Sequence, residues 1–201
     1  MKKFVKLYIL IGFIIVMIIG LNWPTSSSLL SGKRNIEISF KDYGKMELEL
    51  DADTAPITVS NFIKLVETEF YNGLTMHRII DGFMIQGGDP QADGTGGLNE
   101  TIKGEFSSNG IENNISHKRG VISMARTNDM NSASCQFFIV QKDSPHLDGN
   151  YAAFGKVTSG IEIVDDIVKD VAKLGDDNGL IPKENQPVIE YIKVIDKKEE
   201  K

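Results

Sequence analysis

Two runs near residue 40 place apolar side chains at every second position: Ile36, Ile38 and Phe40, then Met46, Leu48 and Leu50, with Asp42-Tyr43-Gly44 between them. A period of two marks a strand with one buried face, and turn residues joining two such runs make a hairpin. Comparable short runs recur at 74–80, 83–87, 120–124, 136–141, 153–157 and 187–195. Eight short strands in a chain of 201 residues narrow the fold to a sandwich or a closed barrel, and closure removes exposed edges. Val59, Phe62, Ile63 and Val66 follow helical spacing, with Pro56 suited to the first turn and Asn72-Gly73 to the stop. A second amphipathic helix, from about Ser159 to Lys169, uses Ile161, Val164, Ile167 and Val168. Between Gly88 and Arg119 the chain is rich in Gly, Asn, Asp and Ser and has little periodicity. Loops of that length are usually functional or disordered.

A core must form without cross-links, because Cys135 is the only cysteine. It sits in the apolar run from Cys135 to Val140, which suits a buried, inert thiol better than a nucleophile. Of the 22 basic residues, Lys2, Lys3 and Lys6 belong to the N-terminal leader, whereas 28 residues are acidic. The folded part is therefore clearly anionic, which argues against a nucleic-acid partner. His77, His117 and His146 show no metal-ligand spacing, so neither a metal nor a cofactor is expected. The glycines at 87–88 and 94–97 lack the ending of a phosphate loop and read as turns.

The leader lysines precede an uncharged apolar run from Leu7 to Leu21, with Trp23 placed for a membrane interface. Residues 1–23 read as one apolar helix, either an uncleaved transmembrane anchor or a cleaved signal peptide. The anchor is preferred because Ser26-Ser27-Ser28 makes a poor cleavage site. Both readings place the domain outside the cytoplasm. Residues 24–34 suit a linker, 35–196 the folded domain, and 197–201 a charged tail. A monomer is expected.

Some strands carry polar residues where a buried strand would not. Alternation puts Met76, Arg78 and Ile80 on one face, Met84 and Gln86 on one, and Gln136 and Phe138 on another. If these strands are neighbours, an apolar floor meets a few polar groups, as in a peptide-binding cleft. Solvated outer-face residues would give the same pattern, so pattern alone leaves the role of Arg78 even.

The segment His77-Arg78-Ile79-Ile80-Asp81-Gly82-Phe83-Met84-Ile85-Gln86-Gly87-Gly88-Asp89 resembles the signature of the cyclophilin family. So do Gly120–Ala125, Ser134–Ile139 and Leu147–Gly155, in family order and spacing, within a likeness extending from about Ile36 to Ile195. The resemblance, closest to compact bacterial cyclophilins, implies a mainly β fold: a closed eight-stranded antiparallel barrel capped by two helices. It also implies peptidyl-prolyl cis–trans isomerisation, with proline-containing segments of exported proteins as partners. A proline-binding module or chaperone with incidental turnover is the alternative. By motif, Arg78 matches the catalytic arginine, with Gln86 and Phe83 beside it. Met84, Phe138 and Leu147 would line the proline pocket with Phe83. Ala125, Arg126, Thr127 and Gln136 would form an adjoining groove, while His146 and Tyr151 close the site. Four positions depart from common family choices. His146 stands where many members have Trp, which implies weakened cyclosporin sensitivity. Tyr151 replaces a His, Arg126 replaces an Asn and adds a cation to the groove, and Met76 replaces a Phe.

Overall fold

The computed structural model describes residues 29–195. The leader to residue 28 and the tail from 196 lie outside them, so the expected apolar helix and the first part of the linker, residues 24–28, do too. Among the described residues no helix is long and apolar enough to cross a membrane.

The alternating runs form β1 (Lys33–Phe40) and β2 (Gly44–Asp51), paired antiparallel with Ile36 opposite Leu48 and Ile38 opposite Met46. Their six apolar side chains are at most 1% exposed. Asp42 and Gly44 have φ of 68° and 101°, the left-handed backbone needed to reverse so tightly. Helix α1 (Pro56–Glu67) starts with its proline as expected and buries Val59, Phe62, Ile63 and Val66. It ends earlier than Asn72-Gly73, because the residues from Thr68 to Gly73 form turns. The remaining elements are β3 (Met76–Ile80), β4 (Met84–Gly87), β5 (Val121–Met124), β6 (Phe137–Val140), β7 (Ala153–Ser159), α2 (Glu162–Val171) and β8 (Ile189–Val194).

All eight strands join one antiparallel sheet in the order β3-β4-β6-β5-β7-β2-β1-β8. It curls into a half-barrel, not the closed barrel expected. Closure would require β3 to pair along β8, but the two chains meet only around Thr75 and Val188. Pro187 there has no N–H to extend a ladder, although its carbonyl accepts from the Met76 N–H. Further along β3, the segment Gly179–Ile181 takes the partner's place. The Ile79 N–H donates to the Gly179 carbonyl, and the Ile181 N–H to that of His77.

A second correction concerns β3. Between Met76 and Arg78 the register against β4 shifts, so that His77 is an extra residue in the strand. Such a bulge breaks the period of two. Met76 therefore enters the main core instead of sharing a face with Arg78.

The sheet is apolar on both sides where β4, β5 and β6 adjoin. Ile85, Ile122, Phe137 and Ile139 face the main core, in which Phe62 packs against Tyr71, Phe137 and Phe154 with ring centroids 5.0–5.5 Å apart. Met84, Val121, Phe138, Val140, Leu147 and Ala153 form a smaller outer core. This second layer explains why Phe137-Phe138-Ile139-Val140 is buried throughout. The long stretch from 88 to 119 is neither helical nor stranded beyond a short turn, yet it is held by polar contacts. The Asp89 carboxylate, fully buried, accepts from the N–H groups of Gln91, Asp93, Gly94 and Gly96. Glu105 is only 2% exposed and accepts from the N–H groups of Ile57 and Thr58 at 3.0 and 2.8 Å. It thereby caps α1, whose own Ala55 offers no side-chain acceptor.

Candidate active site

The outer core continues into a hollow of about 360 Å³ lined by Arg78, Phe83, Met84, Gln86, Ala125, Arg126, Phe138, His146, Leu147 and Tyr151. Ten of the twelve residues expected from the sequence thus share one cavity. The other two, Thr127 and Gln136, line an adjoining hollow of about 220 Å³ together with Gln86, Ala125 and Arg126. A larger hollow of about 580 Å³ lies between α2 and the loop at 176–179, rimmed by Asp81, Asp165, Asp176 and Asp177. It shares no residue with the first, and its apolar lining of Ile79, Ile80, Val168 and Ala172 includes no aromatic ring.

Strand pairing brings the key groups together: Arg78 lies opposite Gln86, and Gln86 opposite Phe138. Arg78 donates from Nε to the Asn178 carbonyl at 2.8 Å and from Nη1 to Gln86 Oε1 at 3.3 Å. Because Gln86 presents its oxygen to arginine, its amide nitrogen is free to donate, and it does so to Gln136 Oε1 at 2.8 Å. Gln136 in turn donates to the carbonyls of Gly96 and Gly94 at 2.7 and 3.2 Å. This chain fixes the guanidinium plane from both ends. A guanidinium has five donors, of which these bonds use two, and Arg78 lines the hollow with the other three unspent on the contacts named. Burial draws the Arg78 pKa down, partly countered by Tyr151 and Asp176, and an arginine so placed keeps its charge.

The floor is the Phe138 ring, with Tyr151 edge-on at 5.9 Å. His146 lines the hollow beside Phe83, with ring centroids 5.4 Å apart. Arg126 does not project as a free cation. Its Nε and Nη2 donate to the Asn150 carbonyl at 3.0 and 2.9 Å, and Nη1 to that of Thr127 at 2.8 Å. The guanidinium carbon lies 4.7 Å from the Tyr151 ring centre and 5.2 Å from that of Phe106. It ties the groove rim to the wall of the apolar hollow.

The sequence reading missed several supports. Asn178 acts through its backbone, so no side-chain pattern could reveal it. Phe106 and His117 fall in the aperiodic stretch.

An apolar seat beside a fixed arginine and a two-part groove defines the site. The family described as "Cyclophilin type peptidyl-prolyl cis-trans isomerase/CLD" matches residues 35–194. The chain belongs to the cyclophilin family. It is a cyclophilin-type peptidyl-prolyl cis–trans isomerase, and its substrates are proline-containing polypeptides. Peptidyl-prolyl cis-trans isomerase B of Bacillus subtilis is 46% identical over 136 residues, covering 65% of this chain and 92% of its own. A peptidyl-prolyl cis-trans isomerase of Helicobacter pylori is also 46% identical, over 126 residues, covering 62% and 74% of the two chains. Among solved structures, a cyclophilin type isomerase of Cryptosporidium parvum superposes with a TM-score of 0.72 at 26% identity, covering 83% of this chain and 100% of its own. Another structure of it, in the presence of the dipeptide Ala-Pro, gives 0.71 at 27% identity. In this cyclophilin the shared architecture is present without full closure of the ladder.

Proposed function

We propose that this isomerase seats a substrate proline on Phe138, among Phe83, Met84 and Leu147, and accelerates rotation by donating from Arg78 to the prolyl nitrogen. Rotation about a peptide bond costs about 18–20 kcal/mol because C–N resonance must be broken. The two X–Pro isomers differ by only about 0.5–1 kcal/mol, so the obstacle is kinetic. At the twisted midpoint the nitrogen becomes pyramidal and gains a lone pair, to which a guanidinium can donate. A fixed donor in a partly desolvated site stabilises that state without having to reorganise. No nucleophile or proton transfer enters the reaction. The observation that carries this reading is the double restraint on Arg78, by Asn178 and Gln86, over an apolar floor. The chain Gln86–Gln136 and the rim at Ala125, Arg126 and Thr127 would hold the substrate backbone and the residues before proline. Arg78→Ala is expected to lower kcat/KM on a proline tetrapeptide at least about tenfold, roughly 1.4 kcal/mol, at unchanged melting temperature. Full activity in that variant would overturn the role assigned to Arg78.

We further propose that the enzyme acts as a membrane-anchored monomer outside the cytoplasm, on exported chains as they fold. Lys2, Lys3 and Lys6 before the apolar run from Leu7 to Leu21 support the anchor and its orientation. Large exposed apolar side chains are few among the described residues (Leu29, Met130, Leu174 and Val194), which supports a monomer. In fractionated cells, the full chain should sediment with membranes and be digested by protease added from outside. Recovery in the cytosol, resistant to that protease, would remove the proposal.

A further inference from the structure

Behind the floor of the hollow lies a group the isomerisation chemistry does not use. His117 is 1% exposed and makes four hydrogen bonds. Its N–H donates to Asp148 Oδ1 at 2.7 Å, and its carbonyl accepts from the Ser144 N–H at 2.8 Å. Its ring nitrogens contact Asp148 Oδ1 at 2.9 Å through Nδ1 and Ser123 Oγ at 3.0 Å through Nε2. An ionised carboxylate only accepts, so the ring proton sits on Nδ1 and Ser123 donates to Nε2. The linkage Ser123–His117–Asp148 has the order of a nucleophilic triad. Ser123, however, is fully buried and lines neither hollow of the site, so it cannot meet a substrate.

What the linkage does reach is the proline seat. The imidazole lies 6.0 Å from the Phe138 ring at an interplanar angle of 16°. Ser123 is the β5 residue paired with Phe138 on β6. Ser144 and Asp148 bracket the short turn Pro145–Leu147, which carries His146 and Leu147 into the hollow. One buried residue thus holds both the floor ring and the two ends of one wall.

We propose that His117 is a positioning residue for isomerisation, setting the plane of Phe138 and the seat of the wall turn through Asp148 and Ser123. The inference rests on the reading of Phe138 as the floor of the proline seat. Arg78 is held by other groups, Asn178 and Gln86, so loss of His117 loosens proline binding more than it weakens the donor.

The experiment measures kcat and KM on a proline tetrapeptide, well below the melting temperature. His117→Phe keeps a flat ring but removes both ring hydrogen bonds. It is expected to raise KM at least about fivefold with kcat changed less than about twofold. Asp148→Asn should move KM in the same direction. Glu105→Gln, which weakens the distant cap of α1, should leave KM unchanged. Wild-type KM in His117→Phe overturns the proposal, as does a fall in kcat at constant KM or an equal rise in KM from Glu105→Gln. Arg78→Ala tests the site reading separately: if it loses activity while His117→Phe keeps its KM, the site stands and this inference falls. Should His117→Phe fail to fold, the wild-type protein decides by NMR. The His117 ring signals must shift on saturation with a proline peptide, and unchanged signals would overturn the proposal.

Discussion

At the scale of single residues, Arg126 shows how far a side chain's role depends on what its donors already hold. Its sequence position suggested an added cation in the groove. Two carbonyls take its hydrogen bonds, and two aromatic rings flank it. A charge so engaged braces more than it selects. Arg126→Gln is therefore expected to lower kcat/KM by about three- to tenfold for peptides with either Glu or Lys before proline. The ratio between those two peptides should change less than about threefold. A tenfold swing in that ratio, measured in one competition assay, would show that the cation reads the substrate after all. The grouping of site residues was legible because the motif blocks fall on adjacent strands. Arg126's fold-back was not, since it depends on Phe106 and Asn150, which lie far along the chain. Met76 was misplaced for a different reason: one extra residue in β3 reverses every inward and outward assignment before it. His117 was hidden because its contact with Asp148 spans 31 residues and gives no local pattern.

At the scale of elements, α1 illustrates a helix whose start is written elsewhere. Its proline and apolar spacing were readable locally, but the acceptor for its first N–H groups is Glu105, 47–48 residues away. A buried carboxylate there also faces the positive end of the helix dipole. Glu105→Gln keeps one acceptor oxygen and loses the charge, so it should cost about 1–2 kcal/mol of stability, read by urea denaturation with an unchanged m-value. A neutral result would mean that water caps α1 as well as the carboxylate does. The aperiodic stretch that supplies Glu105 is ordered by such long-range contacts, which is why composition alone left its purpose open.

At the scale of the whole molecule, buried histidines and paired carboxylates give stability the same dependence on acidity. Burial lowers the pKa of both His77 and His117, against the opposing pull of Asp89 and Asp93 on the first and of Asp148 on the second. A base with a depressed folded pKa binds protons more readily when unfolded, so stability falls as pH drops below the ordinary value of 6.5. Carboxyl groups act further down. Lys193 and Tyr191 hold Glu37 below its ordinary 4.5, and Arg119 holds Asp165 below 3.8. Their contribution is complete above those values and is lost as pH falls towards the folded ones. Melting temperature should therefore be level near pH 7–8, fall first below about 6.5, and fall again below about 4.5. His77→Asn combined with His117→Asn should erase the first fall, and a wild-type curve flat down to pH 5 would contradict it. The incomplete sheet has a different consequence, one of timing. β8 completes the sheet beside β1, although some 150 residues separate them, and no full ladder to β3 stands in for it. At roughly 5–20 residues per second, synthesis leaves β1 waiting on the order of ten seconds for its neighbour. A catalyst of slow steps in other chains thus cannot finish its own sheet until its last strand has been made.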